Sequence, residues 1–501
     1  MNNYFIGIDI GTSNIKSVLF DDNFNELYVA SRKNITNHPA ENLAEQDMLA
    51  VWQTTLETLK EVILCTDINP FHVKGIGITG QGEGLWLIDE YGNPVRPAIL
   101  WCDSRAAEIV NEVTENTTLM RLIENETGTQ PLPCNTSMIL SWMTRHEPEN
   151  LRRAKHILFA KDWIRYKLTG KIGLETSDTG ISILDIKKLC LSETVFNNFN
   201  LNNQRHLFTN IAKSTEPVSG ITQYIATQTG LSPETLVCYG ALDVSAAALG
   251  MGAINEGDVF TIMGTTCCTG VINSKIKLNQ GSSRCIPHAL DGLYIDLTAT
   301  LSGTPNIDWC IKSISTTESF SEIEKQISSI PAGSGGCIYH PYLSGERAPF
   351  YNENARANFF GINTTTTRQH LIRSVYEGVA FTIKDALQDY PSNGKIYLSG
   401  GGTKSACWSQ IISDITGRTV ILSSITENAA RGAAILAAIS SNTININDTN
   451  KLFNINKTYL PSHDNTELYT KIFKLYKQFR ITNTKLWDMR ADIFKSHVNQ
   501  P

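Results

Sequence analysis

The run Tyr4-Phe5-Ile6-Gly7-Ile8-Asp9-Ile10-Gly11-Thr12-Ser13-Asn14-Ile15-Lys16-Ser17-Val18-Leu19-Phe20 sets an apolar stretch, an acid and a hydroxyl pair ahead of a second β-rich stretch. The spacing predicts a hairpin rather than a strand leading into a helix. In such a turn the glycines let the backbone approach a phosphate closely, and Thr12 and Ser13 add hydroxyl and N–H donors. Asp9, at the strand's end, is placed to hold Mg²⁺ directly or through water. Taken alone, the loop is equally well an ordinary Gly-Thr hairpin turn.

A second stretch, residues 258–270, repeats the layout: an apolar strand, Gly264, the hydroxyl pair Thr265 and Thr266, and another turn. One device used twice suggests a duplicated fold with a nucleotide between its halves. A third element, residues 395–405, is a strand running into Gly400, Gly401 and Gly402, where the backbone passes close to something. Helical spacing from Ala406 to Thr416 ends at Gly417, and flanking apolar elements argue against a flexible linker. Two phosphate-loop candidates can therefore deliver a triphosphate to Asp243, in the run of residues 240–250 just before the second loop. A carboxylate there suggests proton abstraction from an attacking hydroxyl; a helix N-cap is its bland alternative.

At 501 residues the chain exceeds one ordinary core, so two large domains are expected, 1–245 and 246–501, in an α/β architecture of alternating strands and helices. Helical spacing marks residues 41–63, with Asp47 as N-cap, and strand patterns mark 74–79 and 85–89 around the turn of residues 80–84. Residues 440–450 read as a polar loop, and 467–479 as a terminal amphipathic helix. A net charge of −6 with scattered Lys and Arg gives no footprint for nucleic acid or an anionic membrane surface. Apolar runs fall far short of the ~20 residues that cross a bilayer, and Asp9 interrupts any leader-like segment. Eleven cysteines, none at C-x-x-C spacing, argue against a zinc site or disulfide framework and fit a reducing cytoplasm. Cys267 and Cys268 read as small residues packed in a turn.

The ordered series of these stretches resembles the FGGY family of carbohydrate kinases, within the actin-like ATPase superfamily. It runs over residues 4–440 and includes AEQD at 44–47, GIGITGQGEGLWLID, ILWCDSRA, KDWIRYKLTG, the Asp243 run, MGTT, GERAPF at 345–350, SGGGTKSACWSQIISDITGR and ENAARGAAILA. The resemblance implies two ribonuclease H-like domains with a nucleotide and sugar cleft between them, ATP and Mg²⁺ as cofactors, and Asp243 as the base. It implies Gly11, Thr12, Ser13, Lys16, Gly264, Thr265 and Thr266 on the phosphates, Gly400 to Gly402 under the adenosine, Asn428 on the adenine side and Asp9 at the metal. Homodimers are frequent among such relatives, and closure of the domains on the sugar would keep water from the phosphoryl group.

The sugar pocket maps onto Gln81, Gly82, Glu83, Trp101, Asp103 and the pair Asp243-Val244. D-Xylulose kinases typically show Gln-Met-His-Gly where this chain has Gln81-Gly82-Glu83-Gly84, and glycerol kinases an Arg-Glu pair. Val244 stands where those kinases often carry Asn or Gln, removing a partner for one substrate hydroxyl. The pattern looks more like L-xylulose and erythritol kinases. Glu83 is then a ligand for hydroxyls or an exposed turn carboxylate, and Trp101 a wall for the sugar carbons or a core residue. Asp103 is expected at the substrate, Arg105 in structure, and Glu346 and Arg347 as braces. D-Xylulose, glycerol and gluconate kinases remain alternatives. A mechanical ATPase lacks any extra domain here, and an inactive sugar-binding regulator would have lost Asp9 or Asp243.

Overall fold

In the computed structural model, residues 3–278, 284–314, 319–391, 393–423, 425–453 and 455–498 are described. Strand Tyr4–Ile10 pairs antiparallel with Asn14–Phe20, with Asp9 opposite Lys16. The hairpin expectation holds. Strand Glu26–Lys33 continues the antiparallel run, while Val73–Gly80 and Leu236–Cys238 lie parallel on the other side of Tyr4–Ile10. Pro217–Gly220 closes that edge antiparallel.

The second sheet has the same order. Strands Val259–Met263, Cys267–Asn273 and Tyr294–Thr300 form the antiparallel run, Ile396–Ser399 and Val420–Ser423 the parallel pair, and Ile455–Tyr459 the antiparallel edge. Arg284–Pro287 extends the far edge beyond Tyr294–Thr300. The duplicated device is thus one part of a duplicated sheet, and the α/β two-domain expectation is met.

The central strand Tyr4–Ile10 is buried almost throughout, because helices cover both its faces. Helix Met48–Leu64 covers one face; Asp47 caps it, accepting from the Leu49 and Ala50 amides at 2.8 and 3.2 Å. The other face carries helix Asn428–Ser440, whose Ala-rich surface lets backbones touch. A Cβ on Gly7 would lie 1.9 Å from the Ala430 carbonyl oxygen, and one on Gly77 1.7 Å from that of Ala433. The same helix crosses Asp243–Met251 at Gly250 and Gly432, where added Cβ atoms would each meet a carbonyl oxygen at 1.9 Å. The Ser245/Ala246 division lies within that crossing helix.

Helix Ala406–Thr416 ends at left-handed Gly417, as its spacing predicts. The terminal helix runs farther than expected, His463–Val498, burying Tyr469, Phe473, Tyr476 and Trp487. Among the described residues no helix is long and apolar enough to cross a membrane. Cys267 and Cys268 lie on a strand rather than in a turn.

Candidate active site

Three parallel strand ends meet at one edge of the N-terminal sheet. Asp9 and Ile10 pair with Thr79 and Gly80, which pair in turn with Ala241 and Leu242, and the Thr79 hydroxyl donates to the Ala241 carbonyl at 2.7 Å. Asp9, Gln81 and Asp243 therefore emerge side by side at the carboxyl ends of the strands, where open α/β sheets bind ligands. Asp243 is the first residue of its helix, not its cap; Leu242 holds the cap position with no side-chain bond, and among the described residues Asp243 accepts only from the adjacent Val244 amide at 2.6 Å.

Burial pushes the Asp243 carboxyl up to about 6. Burial, with the Asp243 charge second, pushes Asp9 up to about 7. Two partly buried carboxylates with too little positive charge between them suit a divalent cation. Among the described residues no group of three or more His, Cys, Asp or Glu is arranged as a metal site. Mg²⁺ needs none: it commonly takes one or two carboxylates, with phosphate oxygens and waters completing its shell. The donor set at Asp9 fits Mg²⁺.

In the first loop Ser13 is exposed and its hydroxyl has no partner among the described residues, whereas Thr12 is fully engaged. Its hydroxyl donates to Gln81 Oε1 at 2.9 Å and accepts from Trp101 Nε1 at 2.8 Å. Gln46, absent from the sequence-derived site, completes the web by donating to the Thr12 carbonyl at 3.0 Å and accepting from Gln81 at 2.8 Å. Trp101 sits in a turn, 47% exposed, so it is neither a strand nor a core residue. Lys16 is not free for a phosphate: it pairs with Glu427 at 2.6 Å, joining the two halves.

In the C-terminal half the second loop and the glycine triplet also end together. Ile262 pairs with Ser399, and a Cβ on Gly400, at φ 92°, would lie 2.4 Å from the Met263 carbonyl oxygen. Thr265 and Thr266 keep hydroxyls without partners among the described residues, and Thr304 fastens the loop through the Gly264 carbonyl. Gly402 packs tightly on Met263 and Trp408, whereas Gly401 faces open space. Asn428 donates to Ser399 Oγ at 3.1 Å, beside the triplet, and its side-chain amide oxygen is buried with no hydrogen-bond partner among the described residues.

Two sugar-pocket expectations are corrected. Asp103 is buried and its carboxylate is taken up by the Ala44 amide at 2.7 Å and by Arg105, so it braces a turn and has no capacity for substrate. Glu83 is not an exposed turn carboxylate: it is buried at φ 59°, accepting from Asn135 at 2.5 Å, the Thr136 amide at 3.2 Å and Ser182 at 3.4 Å. Burial pushes it up to about 7. Gly82 is confined, since a Cβ there would meet Leu242 at 2.1 Å and Asp178 at 2.8 Å. Glu346 braces its loop, accepting from Leu301 N and Ser302 Oγ at 2.7 Å.

Spacing gave no warning of a buried ionic cluster below Gly82. Lys161 lies 2.7 Å from Asp178, 2.9 Å from Asp162 and 3.5 Å from Glu175, and Ser177, bonded to Glu175, accepts the Leu242 amide at 2.8 Å. The cluster fixes the residue preceding Asp243.

A twofold-repeated sheet with paired loops and partly buried carboxylates at its strand ends defines a two-domain α/β protein of duplicated halves. The N-terminal domain of the FGGY family of carbohydrate kinases matches residues 4–250, and its C-terminal domain residues 259–441. The chain belongs to that family and is a carbohydrate kinase. It is 30% identical to a xylulose kinase of Staphylococcus xylosus over 95% of this chain and 99% of the relative. It is 28% identical to the L-xylulose/3-keto-L-gulonate kinase of Escherichia coli K12, over 95% and 96%. The solved xylulose kinase of Rhodospirillum rubrum superposes with a TM-score of 0.88 at 24% identity, covering 97% of this chain and all of that one.

Proposed function

We propose that this kinase phosphorylates a small open-chain carbohydrate, an L-xylulose-like pentulose or a short polyol, with Asp243 as base. The observation that carries the reading is the meeting of three strand ends, which brings Asp243 beside Asp9 on the edge facing the second phosphate loop. In the reaction an acceptor hydroxyl oxygen attacks the γ-phosphorus of ATP in line. The bond from that phosphorus to the β,γ-bridging oxygen breaks, ADP leaves, and the hydroxyl proton passes to Asp243.

Asp243 serves as base in its ionised form, which dominates above about pH 6. Gly11, Ser13, Gly264, Thr265 and Thr266 supply backbone N–H and hydroxyl donors to the phosphates, and Thr12 holds its loop to the acceptor wall. Asp9 would hold Mg²⁺, which would supply charge neutralisation on the phosphates. Gly400 to Gly402 pass under the adenosine, and Asn428 offers its side-chain amide oxygen on the adenine side. Gln81, Gly82, Glu83 and Trp101 form the acceptor wall. Val244 packs into the apolar cluster between the domains and offers no amide to a hydroxyl, which supports an acceptor unlike D-xylulose. The free thiols support a cytoplasmic setting.

The test is ADP release with Mg-ATP against D- and L-pentuloses, pentitols, erythritol, glycerol and gluconate. Asp243→Ala should lose roughly 10²–10⁴-fold in rate while still binding ATP. Near-wild-type turnover by that variant refutes the assignment.

A further inference from the structure

After strand Val420–Ser423 of the second sheet the chain passes to the first, where helix Asn428–Ser440 packs. Sheet alternation puts Asp9 and Lys16 on the face this helix covers. Gly7, two residues before Asp9 on the same strand, lies against the Ala430 backbone, and Lys16 pairs directly with Asp9 across the hairpin. The start of the helix therefore meets the first phosphate hairpin.

That start is held by the other end of the chain. Glu427, the cap residue, makes no side-chain bond to its own helix and turns its carboxylate to Lys16 Nζ at 2.6 Å. Glu26 supplies a second anchor, 400 positions before Thr426 in the chain. One of its oxygens accepts the Thr426 amide at 2.9 Å and the Glu427 amide at 2.6 Å, and the other accepts the Thr426 hydroxyl at 3.0 Å. Bonds to an ionised acceptor are roughly twice as strong as neutral ones. The anchors lie toward opposite ends of strand Asn14–Phe20, Lys16 near its start and Glu26 paired with Phe20 at its end, so they fix the direction of the helix start as well as its position.

The next residue carries the constraint into the other domain. Asn428 donates to Ser399 Oγ at 3.1 Å, and Ser399 immediately precedes the glycine triplet. Lys16, Glu427, Asn428 and Ser399 form a strap from the hairpin to the triplet, the two places proposed above for the phosphates and the adenosine. A ligand held at both ends gains affinity only where the span between its two subsites matches its own length, because the second contact then forms at high effective concentration. A ligand held at one end is indifferent to that span.

We infer that Glu427 is a positioning residue for ATP: with Lys16 and Glu26 it sets the separation between the phosphate hairpin and the glycine triplet. Lys16 is a strut in this arrangement and not a phosphate ligand. The role rests on the nucleotide placement proposed above and adds to it the residues that hold its two ends in register.

The experiment titrates Mg-ATP calorimetrically, and adenosine by displacement, against the full chain and its Glu427→Gln and Lys16→Met variants and the double variant Lys16→Glu/Glu427→Lys, and measures kcat for each. Glu427→Gln and Lys16→Met should each weaken Mg-ATP about 3- to 10-fold, the range for an ion pair partly open to solvent, and leave adenosine within about 2-fold. The exchanged pair should recover part of the loss. A smaller folded fraction would lower kcat per mole of protein but move neither dissociation constant. Lys16→Met weakening Mg-ATP while Glu427→Gln leaves it unmoved or tighter would make Lys16 a phosphate ligand that Glu427 withholds, and overturns the inference. An exchanged pair no better than the worse single variant, or adenosine weakened in step with Mg-ATP, overturns it as well. Because the dissociation constants need no turnover, wild-type protein that transfers phosphate to no acceptor overturns the kinase reading alone, and the same titrations still decide the strap.

Discussion

Replacing Gly432 by alanine tests whether the helix crossing positions the nucleotide site. The new Cβ would lie 1.9 Å from the Ala246 carbonyl oxygen, and both clashing atoms belong to helix backbones, so no side chain can swing aside. Relief requires the helices to part by roughly 1 Å, an overpacking strain of about 3 kcal/mol. Alanine's better helix propensity offsets about 1 kcal/mol, leaving a net loss of about 2 kcal/mol. Asn428–Ser440 begins at the nucleotide side, so the shift carries Asn428 away from Ser399 and disturbs the Glu427 pair with Lys16. Urea denaturation should show the first transition moved to lower denaturant, and KM for ATP should rise several-fold. A variant with an unmoved midpoint and an unchanged KM would show that this backbone contact is not what sets the helix, and the reasoning would fail.

Gly401→Ala should behave in the opposite way: its Cβ meets nothing within 4 Å, so stability should stay within about 0.5 kcal/mol, while KM for ATP rises if adenosine occupies that open space as proposed. Equal KM values for variant and wild type would remove Gly401 from the nucleotide site. Stability should also fall in acid through His288, whose Nδ1 accepts the Leu290 amide at 2.9 Å while Nε2 faces the Ala253 carbonyl. Burial holds this imidazole down to about 4 against an ordinary 6.5, so the unfolded chain takes up a proton first. The contribution is whole above pH 6.5 and falls by about 3 kcal/mol by pH 4. His288→Gln should flatten that part of the stability–pH curve, measured by urea midpoints at several pH values; an unchanged slope would count against it.

Local chemistry made much of the molecule legible. Glycine-bounded hydroxyl pairs announced both hairpins, and Gly417 announced the end of Ala406–Thr416, because these signals depend on backbone conformation within a few residues. The duplicated strand order followed from seeing one device twice. What the chain could not disclose depended on partners distant in sequence. Asp103 read as a pocket residue until Ala44 and Arg105 were found saturating it, and Glu83 read as a hydroxyl ligand or an exposed turn carboxylate until Asn135, Thr136 and Ser182 were found enclosing it. Lys16 looked like a phosphate ligand because Glu427 lies 411 positions away. Lys161 falls in the KDWIRYKLTG stretch, yet nothing local tells of its burial; Glu175 and Asp178, farther along the same domain, give it a place.

Thr12 lies in the proposed phosphate loop, yet both partners of its hydroxyl, Gln81 and Trp101, belong to the proposed acceptor wall. On that reading donor and acceptor sites are not independent binding compartments. A phosphate that accepts the Thr12 proton must take it from Gln81, and a sugar that reorients Gln81 changes what Thr12 can offer the phosphate. Linkage then makes the effect reciprocal: whatever factor ATP imposes on the affinity for sugar, sugar imposes on the affinity for ATP.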